Sequence, residues 1–464
     1  MIKLRFFFFI FLLLLTQAVA VAKPCQESEV VISNINFEGN DITKEQVLLL
    51  ELTFQPGDTI ATENLEAVLE ESRMRLFNLR LFLHVTYNYT CDAGRVSVTY
   101  QMQERFYLYP TPIFDIADRN FAAWLEKKDW SRLDYGFSVV RRNFRGRNED
   151  VRVRVQRGFN KRLELSYRKP YISRKHKLGL DVGVSDYRSR VIDYQTAGNR
   201  QYFFEQEERV PIKRTAASVG LLHRTSVQRQ EGLRVTYQQE VISDSVAVLN
   251  PDYFREGLTE RQFLRLDLYK VVNLRETFSY PLTGSYFEVA LSHTFFLRNS
   301  GAPLTALRAK YVDYFRLNDN YYYTIGAEGM VKLANQYSYT DNRALGFRSV
   351  VRGYELYVIN GQHYGLLKQG LSRGLLRNRQ IHLNFINNPK FNNIPLSVYL
   401  NAFTDAGYVT DNKFENTNPL ANRLLYGGGL GLHVVTFYDI VLRGEYALNR
   451  EGDRGVYLSG SFPF

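Results

Sequence analysis

Few residues in this sequence combine the types and spacing that chemistry needs. The seven histidines (His84, His176, His223, His293, His363, His382 and His433) are scattered, and no HExxH, GxSxG or phosphate-loop pattern surrounds them. Two cysteines, Cys25 and Cys91, cannot build a thiolate zinc site on their own. The expectation is a protein that is not an enzyme and uses no metal or cofactor. Two charged residues stand out instead. Arg352 lies in Val351-Arg352-Gly353-Tyr354, within a stretch punctuated by Gly346, Gly353, Gly361 and Gly365. Gly353 would let the backbone turn, and approach a wall, where a Cβ would clash. Asp405 lies in Phe403-Thr404-Asp405-Ala406-Gly407, which continues the alternation of residues 398–403 and so can point to one face of a strand.

Composition and pattern define the elements that must hold these groups. The chain has 464 residues with 32 Tyr and 32 Phe, and its mean hydropathy of −0.29 excludes a helical membrane protein, as the aromatic content excludes a disordered one. Lys3 and Arg5 precede an apolar run over 6–15, followed by small-x-small sites at Ala18-Val19-Ala20 and Ala20-Val21-Ala22. This reads as a secretory signal peptide over 1–22. Lys23-Pro24 before Cys25 does not suit lipidation. An exported chain without further long apolar runs is either soluble or crosses a membrane as a β-barrel.

From residue 107 onward the period is two. Val151, Val153 and Val155 alternate with Arg152 and Arg154; Leu163, Leu165 and Tyr167 alternate with Arg162, Glu164 and Arg168; Ile440 and Leu442 oppose Arg443 and Glu445. One face large and apolar and the other charged, repeated over many strands, fits an antiparallel transmembrane β-barrel with a wet lumen over 107–464. Sixteen strands suit that length, although pattern alone does not count them. The chain ends on a strictly alternating strand carrying Leu458, Phe462 and Phe464, an outer-membrane mark. Between 141 and 177 there are 14 Lys or Arg against 3 Asp or Glu. Behind an export signal and at strand spacing, this basic run points to lumen lining or lipopolysaccharide contact and not to nucleic acid.

Residues 23–106 form a separate unit that reads strand, helix, helix, strand, strand. Thr43 to Gln46 has capping-box spacing, Thr62 is placed to cap a second helix, and the strands at 83–89 and 96–100 form a hairpin. Pro110 and Pro112 follow. Lacking N–H groups two residues apart, they would deprive one strand edge of two ladder bonds, or else stiffen the link between the two units.

With these features in hand, the sequence resembles the outer-membrane protein assembly and translocation superfamily, the POTRA-plus-barrel proteins of the BamA and TamA type (the bacterial surface antigen family). The resemblance is carried by Ile35-Asn36-Phe37-Glu38-Gly39-Asn40, Pro56-Gly57-Asp58 and Leu79-Arg80-Leu81-Phe82 in a single POTRA-like domain, and by the two barrel motifs. It implies a long loop, at about 336–380, folded into the barrel and pinned by Arg352 to the lumen residue Asp405, with Tyr354 as an apolar anchor. The reading of the residues alone leaves a surface loop with an unpaired Arg352 as the alternative. The resemblance also implies parallel neighbouring strands that bring Cys25 beside Cys91, as a disulfide or as two thiols. Implied partners are unfolded outer-membrane or secreted client proteins, with periplasmic chaperones or accessory lipoproteins, the lipid bilayer and lipopolysaccharide. The family's insertion step uses a weak seam between first and last strands. A passive barrel with a docking domain is the competing reading.

Overall fold

The computed structural model describes Cys25, 27–116, 133–173, 175–206, 209–298, 300–386, 388 and 392–461. The signal-peptide segment 1–22 lies outside these residues, as do Phe462 and Phe464.

The N-terminal unit runs β1 (Glu29–Glu38), α1 (Glu45–Leu49), β2 (Thr59–Ala61), α2 (Thr62–Asn78), β3 (Phe82–Asp92) and β4 (Arg95–Glu104). Its sheet has the order β2-β1-β4-β3, with β1 parallel to β4 and β3 antiparallel to it. The three-residue β2 is an addition to the expected order. Alternate residues Val30 and Ile32, and Val96, Val98 and Tyr100, are buried against Leu65, Leu69 and Leu76, which recur at helical spacing on α2. Fully burying each such side chain contributes roughly 1.5–3 kcal/mol. Cys25 and Cys91 form a disulfide, with Cα atoms 5.6 Å apart.

Both expected helix caps differ. The residue before α1 is Lys44, with no side-chain cap. The Thr43 hydroxyl is instead drawn to the buried Glu104 carboxylate at 2.5 Å, a charged acceptor that outcompetes a helix amide. Thr62 is already helical, and its hydroxyl donates to the Glu27 carbonyl at 2.6 Å, tying α2 to the segment that precedes β1.

The second unit is built on β5 (Leu108–Ile116), β6 (Leu133–Phe144), β7 (Glu149–Gly158), β8 (Lys161–Ser173) and β9 (Leu178–Ser189). A hairpin of β10 (Val191–Ala197) and β11 (Arg200–Glu205) interrupts before β12 (Ile212–Ser226), β13 (Arg229–Ile242), helix α3 (Asp244–Leu249), β14 (Glu260–Asn273), β15 (Gly284–Leu297), β16 (Leu304–Arg316) and β17 (Tyr321–Leu333). After a small hairpin of β18 (Arg343–Leu345) and β19 (Ile359–Asn360) come β20 (His363–His382), β21 (Asn393–Thr410), β22 (Leu424–Thr436), β23 (Ile440–Asn449) and β24 (Arg454–Ser461). Without the two hairpins these strands make one antiparallel sixteen-stranded sheet running from β5 to β24.

Cross-strand partners explain the alternation. Val153, Leu165, Val184, Ala217, Tyr237, Leu264 and Phe295 are successive neighbours across seven strands and form an apolar band on the outside. The adjoining row, with Arg154, Glu164, Ser185 and Gln238, faces the lumen. A slip of one residue would exchange the two faces, so the pattern fixes register.

The N-terminal domain is seated on one end of the barrel. The Lys44 amide donates to the Gly146 carbonyl at 2.9 Å, Asn78 reaches the Glu276 carbonyl at 3.1 Å, and Arg105 pairs with Asp439 at 2.8 Å. The fully buried Glu51 pairs with Arg224 at 3.0 Å and accepts from the Val227 amide at 2.6 Å. The distal end carries the longer connections. There Ile192, Ile212, Val246, Tyr253, Phe254 and Tyr339 pack into one apolar cluster.

The inward loop is shorter than the expected span of about 336–380. It ends where β20 begins at His363. Gly365, Gly370 and Gly374 hide the alternation of this long strand in the sequence, yet Tyr364, Leu366, Lys368 and Ser372 follow the period of two.

Candidate functional site

The loop over 334–362 carries Val351-Arg352-Gly353-Tyr354 into the barrel. The Arg352 guanidinium grips Asp405 with two bonds, Nη2 to Oδ1 at 2.6 Å and Nε to Oδ2 at 2.9 Å, and its backbone amide donates to the same carboxylate at 3.1 Å. Nη1 reaches Glu445 at 3.2 Å. The guanidinium carbon lies 3.8 Å from the centre of the Phe403 ring. The Asp405 side chain is fully shielded from solvent, and Lys368 stands 3.5 Å from it.

Period two on β21 explains the F-x-D-x-G motif. Phe403, Asp405 and Gly407 face the lumen together: Phe403 stacks on the guanidinium, Asp405 pairs with it, and Gly407 leaves room for Val351. Gly353 has φ +97°, a conformation that L side chains rarely adopt, and its carbonyl accepts from Asn449 Nδ2 at 2.7 Å. A Cβ on Gly427 would collide with the Arg352 carbonyl oxygen, so this glycine gives the tip its close approach to β22. Val351 and Tyr354 are buried with Leu345, Ile359, Leu366, Val409 and Leu425 in an apolar cluster beside the ion pair.

A second set of anchors holds the root of the loop. Lys332 Nζ donates to the carbonyls of Asp341 at 2.7 Å and Arg343 at 2.5 Å. Arg343 pairs with Asp193 at 2.5 Å, and the buried Arg261 bridges Glu240 at 2.5 Å and Asp341 at 3.1 Å.

The sequence motifs do not point to Glu445, Lys368, Gly427 or these root anchors. Glu445 stands on the polar face of an alternating strand, but nothing local in the sequence ties it to Arg352. The domain side of the lumen is occupied by the β14–β15 connection. Its Tyr280 stacks on Tyr399 at 4.8 Å, and the Tyr280 hydroxyl meets His433 Nδ1 at 2.9 Å, while His433 Nε2 lies 3.5 Å from Glu445.

Pro110 and Pro112 lie within β5 and not in the link before it. The Arg142 amide donates to the Tyr107 carbonyl at 2.8 Å, and the register Leu108↔Arg141 continues unbroken to Ile116↔Leu133. Backbone groups of odd-numbered residues therefore face β6, and both prolines turn their nitrogens to the other edge. Among the described residues no ladder joins that edge to β24. On β24, Leu458 projects outward and is largely exposed.

No curated protein sequence matches the chain. The family described as Omp85 superfamily domain matches residues 143–436, and the POTRA family, described as surface antigen variable number repeat, matches residues 30–105. Among solved structures, BamA from Haemophilus ducreyi lacking POTRA domains 1–3 is similar, with 15% identity, coverage of 93% of this chain and 84% of that one, and a TM-score of 0.53. CdiB from Escherichia coli is similar at 14% identity, covering 93% of this chain and 76% of that one, with a TM-score of 0.52. At these identities the two structures share the fold.

Proposed function

The chain belongs to the Omp85 superfamily, and from that membership we propose that it is a non-enzymatic machine that inserts β-barrel proteins into the outer membrane or translocates polypeptides across it. As a superfamily member it is an outer-membrane barrel of a Gram-negative-type bacterium, with its POTRA domain in the periplasm. The turns seated on that domain are thus periplasmic, and the long distal connections face outward.

The observation that carries the mechanism is the edge of β5 that has no ladder partner among the described residues, and to which Pro110 and Pro112 present no N–H. A client strand arrives as an extended chain. The eleven-residue β3 forms the outer strand of the POTRA sheet and offers backbone donors and acceptors to it, with little demand on sequence. The client then meets a seam between β5 and β24 that costs little to part. The Arg352–Asp405 pair holds the inward loop against β21–β23 during this exchange, keeping those strands rigid while the seam beyond the neighbouring β24 opens. Periplasmic chaperones or accessory lipoproteins would deliver clients to the POTRA edge.

Depletion of the protein followed by outer-membrane proteomics tests the reading. Loss of many barrel proteins supports a general insertase, and loss of a single class supports a dedicated helper or transporter. An unchanged outer-membrane proteome and secretome would leave a passive barrel with a docking domain.

A further inference from the structure

Between the periplasmic Tyr280-Pro281-Leu282 connection and the inward loop lies a lumen cavity of about 440 Å³. Its lining carries five cations, Lys310, Arg348, Arg352, Lys368 and Arg443, against two carboxylates, Glu328 and Glu445. Both carboxylates are already engaged. Glu445 is held by Arg352 at 3.2 Å and faces His433 at 3.5 Å. Glu328 takes Arg308 at 3.1 Å, Lys310 at 3.8 Å, the Tyr364 hydroxyl at 2.7 Å and the Ser349 hydroxyl. Asp405, on the lumen face of β21, already serves Arg352 and Lys368.

Arg348 and Arg443 remain. Among the described residues neither side chain makes an ion pair or hydrogen bond, and both border the cavity. A second cavity of about 460 Å³ adjoins the first at Arg348 and Ser349, and its lining adds Arg261, Arg265, Arg308, Lys332 and Arg343 against Asp341. Arg348 is exposed to the lumen and Arg443 is half-buried. A cavity with an excess of one charge between low-dielectric walls focuses a positive potential, and the planar guanidinium forks match the oxygens of phosphate.

We propose that this cavity is a binding site for a phosphate-class anion, held by Arg348 from the loop and Arg443 from β23. The strands of the wall separate the cavity from the bilayer, so the ligand is a soluble anion that enters through the lumen. The site lies between the element that closes the lumen from the periplasm and the loop that fills it from outside, and an anion there bridges the two. This assignment does not depend on the client-handling role. The client assay and the anion assay can therefore fail independently.

The test uses the full chain purified in a sugar-detergent micelle, which contains no phosphate, with inorganic pyrophosphate as the probe in equilibrium dialysis against a chloride background. The wild-type chain should bind saturably, and more weakly as salt rises. Arg348→Gln and Arg443→Gln should each weaken binding at least tenfold, and Arg348→Lys should retain part of it. Arg423→Gln, on an exposed distal turn where Arg423 pairs with Glu451, should leave it unchanged. Heat-modifiable electrophoretic mobility establishes that each variant is folded. Absence of saturable binding by the wild-type chain overturns the proposal without any variant, as does binding that survives the Arg348→Gln/Arg443→Gln double substitution. Competition by phosphorylated glycolipid vesicles, with pyrophosphate binding otherwise intact, would keep the site but overturn the soluble source.

Discussion

Replacing Arg352 by alanine should free the tip of the inward loop while its root stays in place. The substitution removes the two-pronged grip on Asp405, the bond to Glu445 and the stacking on Phe403. At an effective dielectric near 20, a contact ion pair is attracted by about 4 kcal/mol. Stacking on the ring adds about 0.5–2 kcal/mol. Against these stand the desolvation of both ions in the paired state, and Lys368, which remains 3.5 Å from Asp405 and spares it from being left without a countercharge. A net loss of about 2–3 kcal/mol follows, a roughly 30- to 150-fold increase in the population with the tip released. A cysteine at the buried Val351 reports that opening through its rate of labelling by a soluble maleimide, because the two native cysteines are joined and do not react. Asp405→Asn should raise the rate to a similar extent, and the double variant little further, since both substitutions break the same ion pair. Equal rates in wild-type and Arg352→Ala chains, or effects of the two substitutions that simply add, would refute the anchoring argument.

Restoring the missing donors with Pro110→Val and Pro112→Val should strengthen the seam by about 1–3 kcal/mol, at roughly 0.5–1.5 kcal/mol per net hydrogen bond; slower client assembly and a higher heat-modification midpoint are the readouts, and unchanged assembly counts against a seam role. Removing the disulfide with Cys25→Ser and Cys91→Ser should destabilise the POTRA domain by about 4 kcal/mol in the chain-entropy account, given the 66-residue separation, measured by urea denaturation followed through hydrogen exchange of β1 and β4. Arg224→Leu should leave the buried Glu51 carboxylate without its ion pair and loosen the POTRA domain from the barrel; limited proteolysis between 104 and 108 should accelerate if that pair holds the two together. Lys332→Met should raise protease access at the root of the loop near Asp341 while leaving the Arg352–Asp405 pair intact, and a matching rise in labelling at the tip would contradict the separation of the two anchors.

The legible parts of this protein are those set by local periodicity. The alternation of Val151, Val153 and Val155 with Arg152 and Arg154 identifies barrel strands, because adjacent residues of a strand point to opposite faces whatever their partners are. The spacing of Phe403, Asp405 and Gly407 places three side chains on one face by the same rule. Helix ends depart from the sequence reading where tertiary partners compete for the capping groups, as when Glu104, 61 residues away in sequence, takes the Thr43 side chain and backbone amide. The start of β20 is hidden in the sequence because glycines erase the contrast on which periodicity depends.

The sequence by itself determined the class of wall and the residues free to turn or unable to donate, and it singled out Arg352 and Asp405 without establishing that they meet. Only the tertiary structure decided that Glu445 and Lys368 join Arg352 and Asp405, that both prolines turn toward the open edge, and that Arg348 and Arg443 have no carboxylate partner among the described residues. The physical reason is register. A strand's own pattern says which side chains face the lumen, while their height in the barrel, and so what they meet across it, depends on how all sixteen strands are staggered together.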